Sequence, residues 1–223
     1  MKMRFKLTYL ILFSLWCPLI GSAVTLPLPL PPVIDGWQRV NIIDLGSVDL
    51  PPTMEIQAGE YKKSMDNYRT SRNIPVLVAQ QLGLNNGNQV GLKRYARVMI
   101  GTVSGKDGDF EKLDFNILTV SIDDINQLDK VLKAQCARDL NKINQKLIEW
   151  YPVTFEKING MSCIHISYTR QLDNNPVVKV NTYKFQNNDR IHELILSYRI
   201  SESEIWKKNF YTVLKSFRIN NIR

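Results

Sequence analysis

The residues Ile191-His192-Glu193-Leu194-Ile195-Leu196-Ser197-Tyr198-Arg199-Ile200 alternate in character along their whole length. His192, Leu194, Leu196, Tyr198 and Ile200 fall on one face, and Ile191, Glu193, Ile195, Ser197 and Arg199 on the other. A period of two with one strongly apolar side predicts a strand laid against a core. Upstream, residues 177–185 are rich in β-branched and aromatic side chains, and the link Gln186-Asn187-Asn188-Asp189-Arg190 tolerates positive φ, so the two runs predict a hairpin. A third alternating run, from Met161 to Thr169, puts Ile164, Ile166 and Tyr168 on one side and Cys163 on the other.

Downstream, Ser201-Glu202-Ser203-Glu204 reads as a capping box, with Ser201 capping the helix and Glu204 reaching back to the Ser201 amide. Trp206, Phe210, Val213, Leu214 and Phe217 then recur at spacings of three and four, one apolar stripe on a helix of about four turns. Burying each of these side chains contributes roughly 1.5–3 kcal/mol before ordering entropy is subtracted. The stripe needs an apolar surface to lie on, and the preceding strands supply one.

Working back toward the N-terminus, Ser121 precedes Asp123 and Asp124 and is followed by Ile125, Leu128, Leu132, Cys136, Leu140 and Ile143. That pattern predicts an N-capped amphipathic helix of about 20 residues. Residues 150–158 predict a strand broken at Pro152, turning at Asn159-Gly160. Residues 37–43, 74–82 and 92–103 predict further strands, with a turn at Asn85-Asn86-Gly87-Asn88. Gly46 is expected to end the first strand, and Val48 to Ile56 to run as an edge, because Pro51 and Pro52 cannot donate to a ladder. Residues 59–73 are expected to be a loop or frayed helix, and 110–120 to be extended or to hold a short strand before the next helix. Strands joined by tight turns, with two substantial helices, give an α+β fold: a mainly antiparallel sheet with a mid-chain and a C-terminal helix packed on it.

Three features resemble the PsbP-like family of α/β sandwiches. They are Leu50-Pro51-Pro52-Thr53-Met54-Glu55 after an early strand, the long mid-chain helix, and Leu194-Ile195-Leu196-Ser197-Tyr198-Arg199 leading into a helix closed by Val213-Leu214-Lys215-Ser216-Phe217. The resemblance covers nearly all of 37–219. It implies a compact antiparallel sheet between helices, in a family whose bacterial members are often exported and whose roles are more usually binding or accessory than catalytic.

The chain opens with Met1-Lys2-Met3-Arg4-Phe5-Lys6, an apolar run from Leu7 to Ile20, and Gly21-Ser22-Ala23. This is the three-part pattern of a secretory signal peptide over residues 1–23, with cleavage before Val24. The apolar run is shorter than the ~20 residues of a membrane-spanning helix, and no second such run follows, so the expectation is a periplasmic or secreted mature chain without an integral span, the alternative being an uncleaved N-terminal anchor. Trp16 before Cys17 argues against lipidation. Residues 24–36, with Leu26-Pro27-Leu28-Pro29-Leu30-Pro31-Pro32, predict an extended spacer ahead of a single domain at 37–219.

The formal charge of +8 falls to +5 when Lys2, Arg4 and Lys6 leave with the signal peptide. The remaining bases, Lys62, Lys63, Arg69, Arg72, Lys93, Arg94 and Arg97 among them, are dispersed. A nucleic-acid partner is not expected; an envelope protein or an anionic envelope polymer is. Export would leave two cysteines, Cys136 and Cys163, able to form one disulfide in an oxidising compartment; both equally suit small buried apolar positions.

No Walker loop, G-x-S-x-G elbow, H-E-x-x-H or C-x-x-C pair is present. Gly101-Thr102-Val103-Ser104-Gly105-Lys106-Asp107 is one residue short of a phosphate loop and ends in Asp. His165 and Cys163 share a strand face at i, i+2, about 6–7 Å apart, too far for direct activation. With His192 they are the residues a metal or hydrolytic site would need. Asp107, Asp109, Glu111 and Asp114 cluster at a turn but lack calcium-loop spacing. No catalytic residue, cofactor or metal is expected. The leading expectation is an exported, non-enzymatic binding or accessory protein, with its ligand between sheet and helix or on the edge near Pro51 and Pro52. The alternatives are a small hydrolase or metal-dependent enzyme in which Cys163, His165 and His192 converge, and a structural subunit of an envelope assembly.

Overall fold

The computed structural model describes residues 32–68, 75–87 and 94–223. The expected signal peptide, most of the spacer, Cys17, Arg69, Arg72 and Lys93 lie outside those residues.

A small antiparallel sheet joins β1 (Gln38–Ile42) and β2 (Gly46–Leu50) to the terminal strand β10 (Arg218–Ile219), in the order β1-β2-β10. The main sheet contains β3 (Met54–Ile56), β4 (Leu77–Gln81), β5 (Ala96–Ser104), β6 (Gln145–Ile158), β7 (Met161–Leu172), β8 (Val178–Gln186) and β9 (Arg190–Arg199). Its order is β3-β4-β5-β9-β8-β7-β6, antiparallel throughout. Three α-helices accompany the sheets among the described residues: α1 (Gly59–Tyr68), α2 (Ile122–Asn141) and α3 (Ser203–Ser216).

The hairpins β6-β7-β8-β9 follow the sequence alternation. The β6–β7 turn uses Asn159 and Gly160, both at positive φ (55° and 83°), which suits a two-residue hairpin loop. Register puts His165, Tyr183, Leu194 and Ile100 in one row across the inner face. Trp206, Phe210, Val213, Leu214 and Phe217 of the C-terminal segment cover that face, and all five are buried. Phe185 meets Phe217 with ring centroids 5.2 Å apart, and Tyr198 meets Phe210 at 5.8 Å. The small sheet completes this core through Leu45, Val48, Leu50 and Ile219.

Several expectations are corrected. Gly46 opens β2 rather than ending a strand, and β2 is the central, wholly buried strand of its sheet. Pro51 and Pro52 fall just beyond it, where the chain crosses to the main sheet, so β3 alone is the edge that prolines imply. The capping box does not form: Ile200–Glu202 make a 3-10 turn, no side chain caps α3, and Glu202 accepts instead from Trp206 Nε1 at 3.2 Å. Residues 59–68 are helix, whereas 110–120 hold only a 3-10 turn, Ile117–Thr119. Ser121 caps α2 as expected, accepting from the Asp124 amide at 3.1 Å. Of the α2 stripe only Leu140 is buried; Ile125, Leu128, Leu132 and Cys136 are half-buried against the edge strand β6, and Ile143 lies beyond the helix and is exposed. Pro152 does not end β6; it sits at a register shift between Tyr151 and Thr154, tolerated on an edge.

Candidate functional site

His165 and His192 are both hydrogen-bonded to residues of neighbouring strands. His165 Nδ1 lies 2.8 Å from a carboxylate oxygen of Glu156 on β6, and its Nε2 lies 3.2 Å from Asn181 Oδ1 on β8. Its ring stacks on Tyr183, with centroids 4.5 Å apart. His192 is 1% exposed, its Nδ1 2.9 Å from Thr102 Oγ1 and its Nε2 3.3 Å from Asn187 Nδ2. Because an amide nitrogen can only donate, Nε2 accepts and the proton sits on Nδ1. Burial, with the charges of Arg190 and Arg223 against Asp189, pushes the His192 pKa down to about 4, so the ring is neutral at pH 7. Asn187 also donates to the Asn221 carbonyl at 2.7 Å and accepts from the Arg223 amide at 2.8 Å. This imidazole therefore helps anchor the C-terminus.

Cys163 faces the core and is fully buried, and burial raises its thiol pKa to about 12. Cys136 on α2 is half-buried against Tyr168, and burial raises its thiol to about 11. Cys136 and Cys163, the candidate disulfide pair, are both free thiols in the structure. Tyr168 and Cys163 are five apart on a regular strand and so point to opposite faces, leaving the sheet between the two thiols. Asp107 and Asp109 hold their loop together, accepting from Asn188 Nδ2 and the Lys106 amide. Among the described residues, no group of three or more His, Cys, Asp or Glu side chains has metal-binding geometry. A shallow depression of about 480 Å³ lies at the β1–β2 turn, lined by Asp44, Leu45 and Asn221, at the far end of β2 from Pro51 and Pro52.

The unusual electrostatics are elsewhere, on the outer face of the main sheet. Register there runs Tyr168, Val180, Ser197, Arg97 in one row and Arg170, Val178, Arg199 in the next. Tyr95, just ahead of β5, lies beside this second row, its carbonyl accepting from the Arg199 amide at 3.1 Å. The Tyr95 hydroxyl accepts from Arg170 Nη2 at 3.0 Å and sits 3.3 Å from Ser197 Oγ. Both Arg97 and Arg170 stack over its ring, their Cζ atoms 5.2 and 6.0 Å from the centroid. Arg170 Nη1 donates to Gln145, which follows α2. Arg97 Nη2 approaches the Tyr61 hydroxyl at 3.3 Å and Met65 Sδ at 4.0 Å, both on α1. Burial alone would raise the Tyr95 pKa, but the Arg170 and Arg97 charges, with the Ser197 and Arg170 hydrogen bonds, hold it below its ordinary value. Nothing in the spacing of Tyr95, Arg97 and Arg170 announced this cluster, since the third member comes from a strand that neighbours β5 only through β8 and β9.

No helix among the described residues is long and apolar enough to cross a membrane. No protein-family model and no curated protein matches the chain in sequence. Among solved structures the chain is similar to the solution structure of cyanobacterial PsbP (CyanoP) from Synechocystis sp. PCC 6803. That match has 14% identity and a TM-score of 0.49, covering 86% of this chain and 99% of that one.

Proposed function

We propose that this chain is an exported, non-enzymatic binding or accessory protein of the cell envelope. Export is supported by the leader pattern at residues 1–23. The observation that carries the non-enzymatic reading is the use made of both histidines and both thiols. His165 is held between Glu156 and Asn181, His192 is buried and neutral, and burial keeps Cys136 and Cys163 protonated. A nucleophile without an adjacent base, and a base without an accessible proton to take, perform no general acid–base step. His192 and His165 each have partners on neighbouring strands and do not share one, so a joint hydrolytic or metal role lacks its convergence.

Fractionation of the source cells tests the first half of the proposal. The protein recovered from the exported fraction should begin at Val24; a full-length chain confined to the cytosol overturns export. Assays of the purified protein on ester, phosphoester and peptide substrates, with and without added Zn²⁺, test the second. The expected result is no turnover. Turnover abolished by His165→Asn would restore the hydrolase reading.

A further inference from the structure

We propose that Arg97, Arg170 and the Tyr95 hydroxyl form a binding site for an oxyanion, the carboxylate or phosphate group of a ligand. The inference rests on the reading of the chain as a binding protein and names the chemistry of what it binds.

The first argument is charge accounting. The chain has 21 Asp and Glu residues, and residues 1–31, 69–74 and 88–93 contain none, so every acidic side chain belongs to the described residues. Arg39 forms a two-pronged pair with Asp49 at 2.7 and 2.8 Å, and Arg190 another with Asp189 at 2.8 and 3.0 Å. No acidic side chain pairs in this way with Arg97 or Arg170. Two guanidiniums therefore converge on one phenol with no counter-charge from the protein.

The second argument is donor accounting. A guanidinium offers five N–H groups in a rigid fork suited to carboxylate and phosphate oxygens. Arg97 uses only Nη2, on a phenol oxygen at 3.3 Å and a thioether sulfur at 4.0 Å, while its Nε is buried without an acceptor. A buried N–H without an acceptor is destabilising, so the native cluster is incomplete as a hydrogen-bonded unit. Stacking on Tyr95 attracts both cations to the ring, but a ring face supplies no in-plane acceptor and leaves the two like charges opposed. One oxyanion answers both deficits. Tyr95 reinforces it, because a phenol whose proton is loosened by neighbouring cations is a stronger donor to an arriving anion. The cluster lies on the outer face between α1, which carries Tyr61 and Met65, and Gln145 at the start of β6. Tyr95, Arg97 and Arg170 are each partly exposed as residues, although Arg97 Nε is itself buried.

The test is thermal unfolding of the purified protein in increasing sodium phosphate, against sodium chloride at matched ionic strength. Phosphate should raise Tm with the logarithm of its concentration above Kd, following RT ln(1 + [phosphate]/Kd), a rise that chloride does not reproduce. Arg97→Gln and Arg170→Gln should each weaken the apparent Kd by about tenfold or more, the worth of one charge-assisted hydrogen bond. Lys157→Gln, an exposed site on β6, should leave it unchanged. Tyr95→Phe, which keeps the ring and its packing, should weaken phosphate binding even if an arginine variant fails to fold. No phosphate-specific rise in the folded protein, or an equal rise in Tyr95→Phe and both arginine variants, overturns the inference. Cosedimentation with phosphatidylglycerol vesicles separates the sources. Binding that free phosphate displaces and Arg170→Gln abolishes assigns a lipid headgroup; a phosphate response without vesicle binding assigns a soluble or polymeric anion. Vesicle binding indifferent to phosphate and to Arg170→Gln overturns the site as the anion receptor. Loss of the phosphate response from a protein still processed at Val24 rejects this inference alone and leaves the envelope reading standing.

Discussion

Gly46 lies directly beneath the carbonyl of Arg218, so close that a Cβ at position 46 would stand 2.0 Å from that oxygen and 2.8 Å from its carbon. The contact comes from pairing Ile219 opposite Gly46, which lays the chain's last strand on β2. Gly46→Ala cannot be absorbed by rotating a side chain, because both clashing atoms are backbone. It should push β10 off β2 and uncover Ile219, now 2% exposed. The expected loss is about 1–3 kcal/mol, the usual cost of overpacking. Urea unfolding would show a lower midpoint at an unchanged m-value; a midpoint equal to wild type would mean that β10 is not held as described.

His192 makes stability depend on pH. Its folded pKa of about 4 lies below the ordinary value of 6.5, so the fold prefers the neutral ring. Above pH 6.5 both states are neutral and nothing is lost. As the pH falls from 6.5 toward 4 the unfolded chain binds a proton that the folded chain refuses, and stability declines, levelling off below 4. The full effect is roughly 3 kcal/mol, from 1.36 kcal/mol per pKa unit. The difference in unfolding free energy between wild type and His192→Gln, measured from pH 7 to 4, should shrink by that order. A difference flat across this window would show that the ring protonates in place.

The two thiols should behave as inert apolar groups. With Cys163 and Cys136 raised to about 12 and 11 by burial, almost no thiolate exists at pH 7. A thiol-reactive dye should label the folded protein slowly and the urea-unfolded protein fast, with half-buried Cys136 modified before Cys163. Reductant should leave Tm unmoved, because no bridge crosses the sheet. A Tm drop of several degrees on reduction would contradict the placement of these side chains on opposite faces.

The inner face was legible in the sequence because one rule governs it. Leu194, Leu196 and Tyr198 alternate, Trp206, Phe210 and Phe217 recur at helical spacing, and each pattern needs the other's surface. The start of α3 was not, because Ser201 satisfies the capping rule while the 3-10 turn at Ile200–Glu202 and the bond from Trp206 to Glu202 use the same residues differently. Local rules also cannot count sheets: β2 reads as an edge because of Pro51, yet it becomes central once the last residues of the chain return to it. The Tyr95 cluster was illegible for the same reason, being assembled by register across β5, β9, β8 and β7 and not by spacing.

Asp129 is a second such long-range junction. Its Oδ1 accepts from Trp150 Nε1 at 2.8 Å and from the Val153 amide at 2.9 Å, fastening α2 to β6. The register shift between Tyr151 and Thr154 takes Val153 out of the ladder, and Pro152 beside it has no N–H to give. The carboxylate thus supplies the acceptor that the bulge removes. Asp129→Ala leaves the amide of a residue that is 3% exposed, and the half-buried indole N–H, without partners. The expected cost is about 1–3 kcal/mol. Asp129→Asn keeps an oxygen in the same place and should cost clearly less, provided its amide turns that oxygen toward Val153. Trp150→Phe removes one donor but leaves the Val153 bond, so it too should fall short of the alanine variant once ring packing against Tyr168 is preserved. Unfolding midpoints of the three variants order these effects, and an alanine variant no weaker than the asparagine one would mean that water, not Asp129, satisfies the bulge.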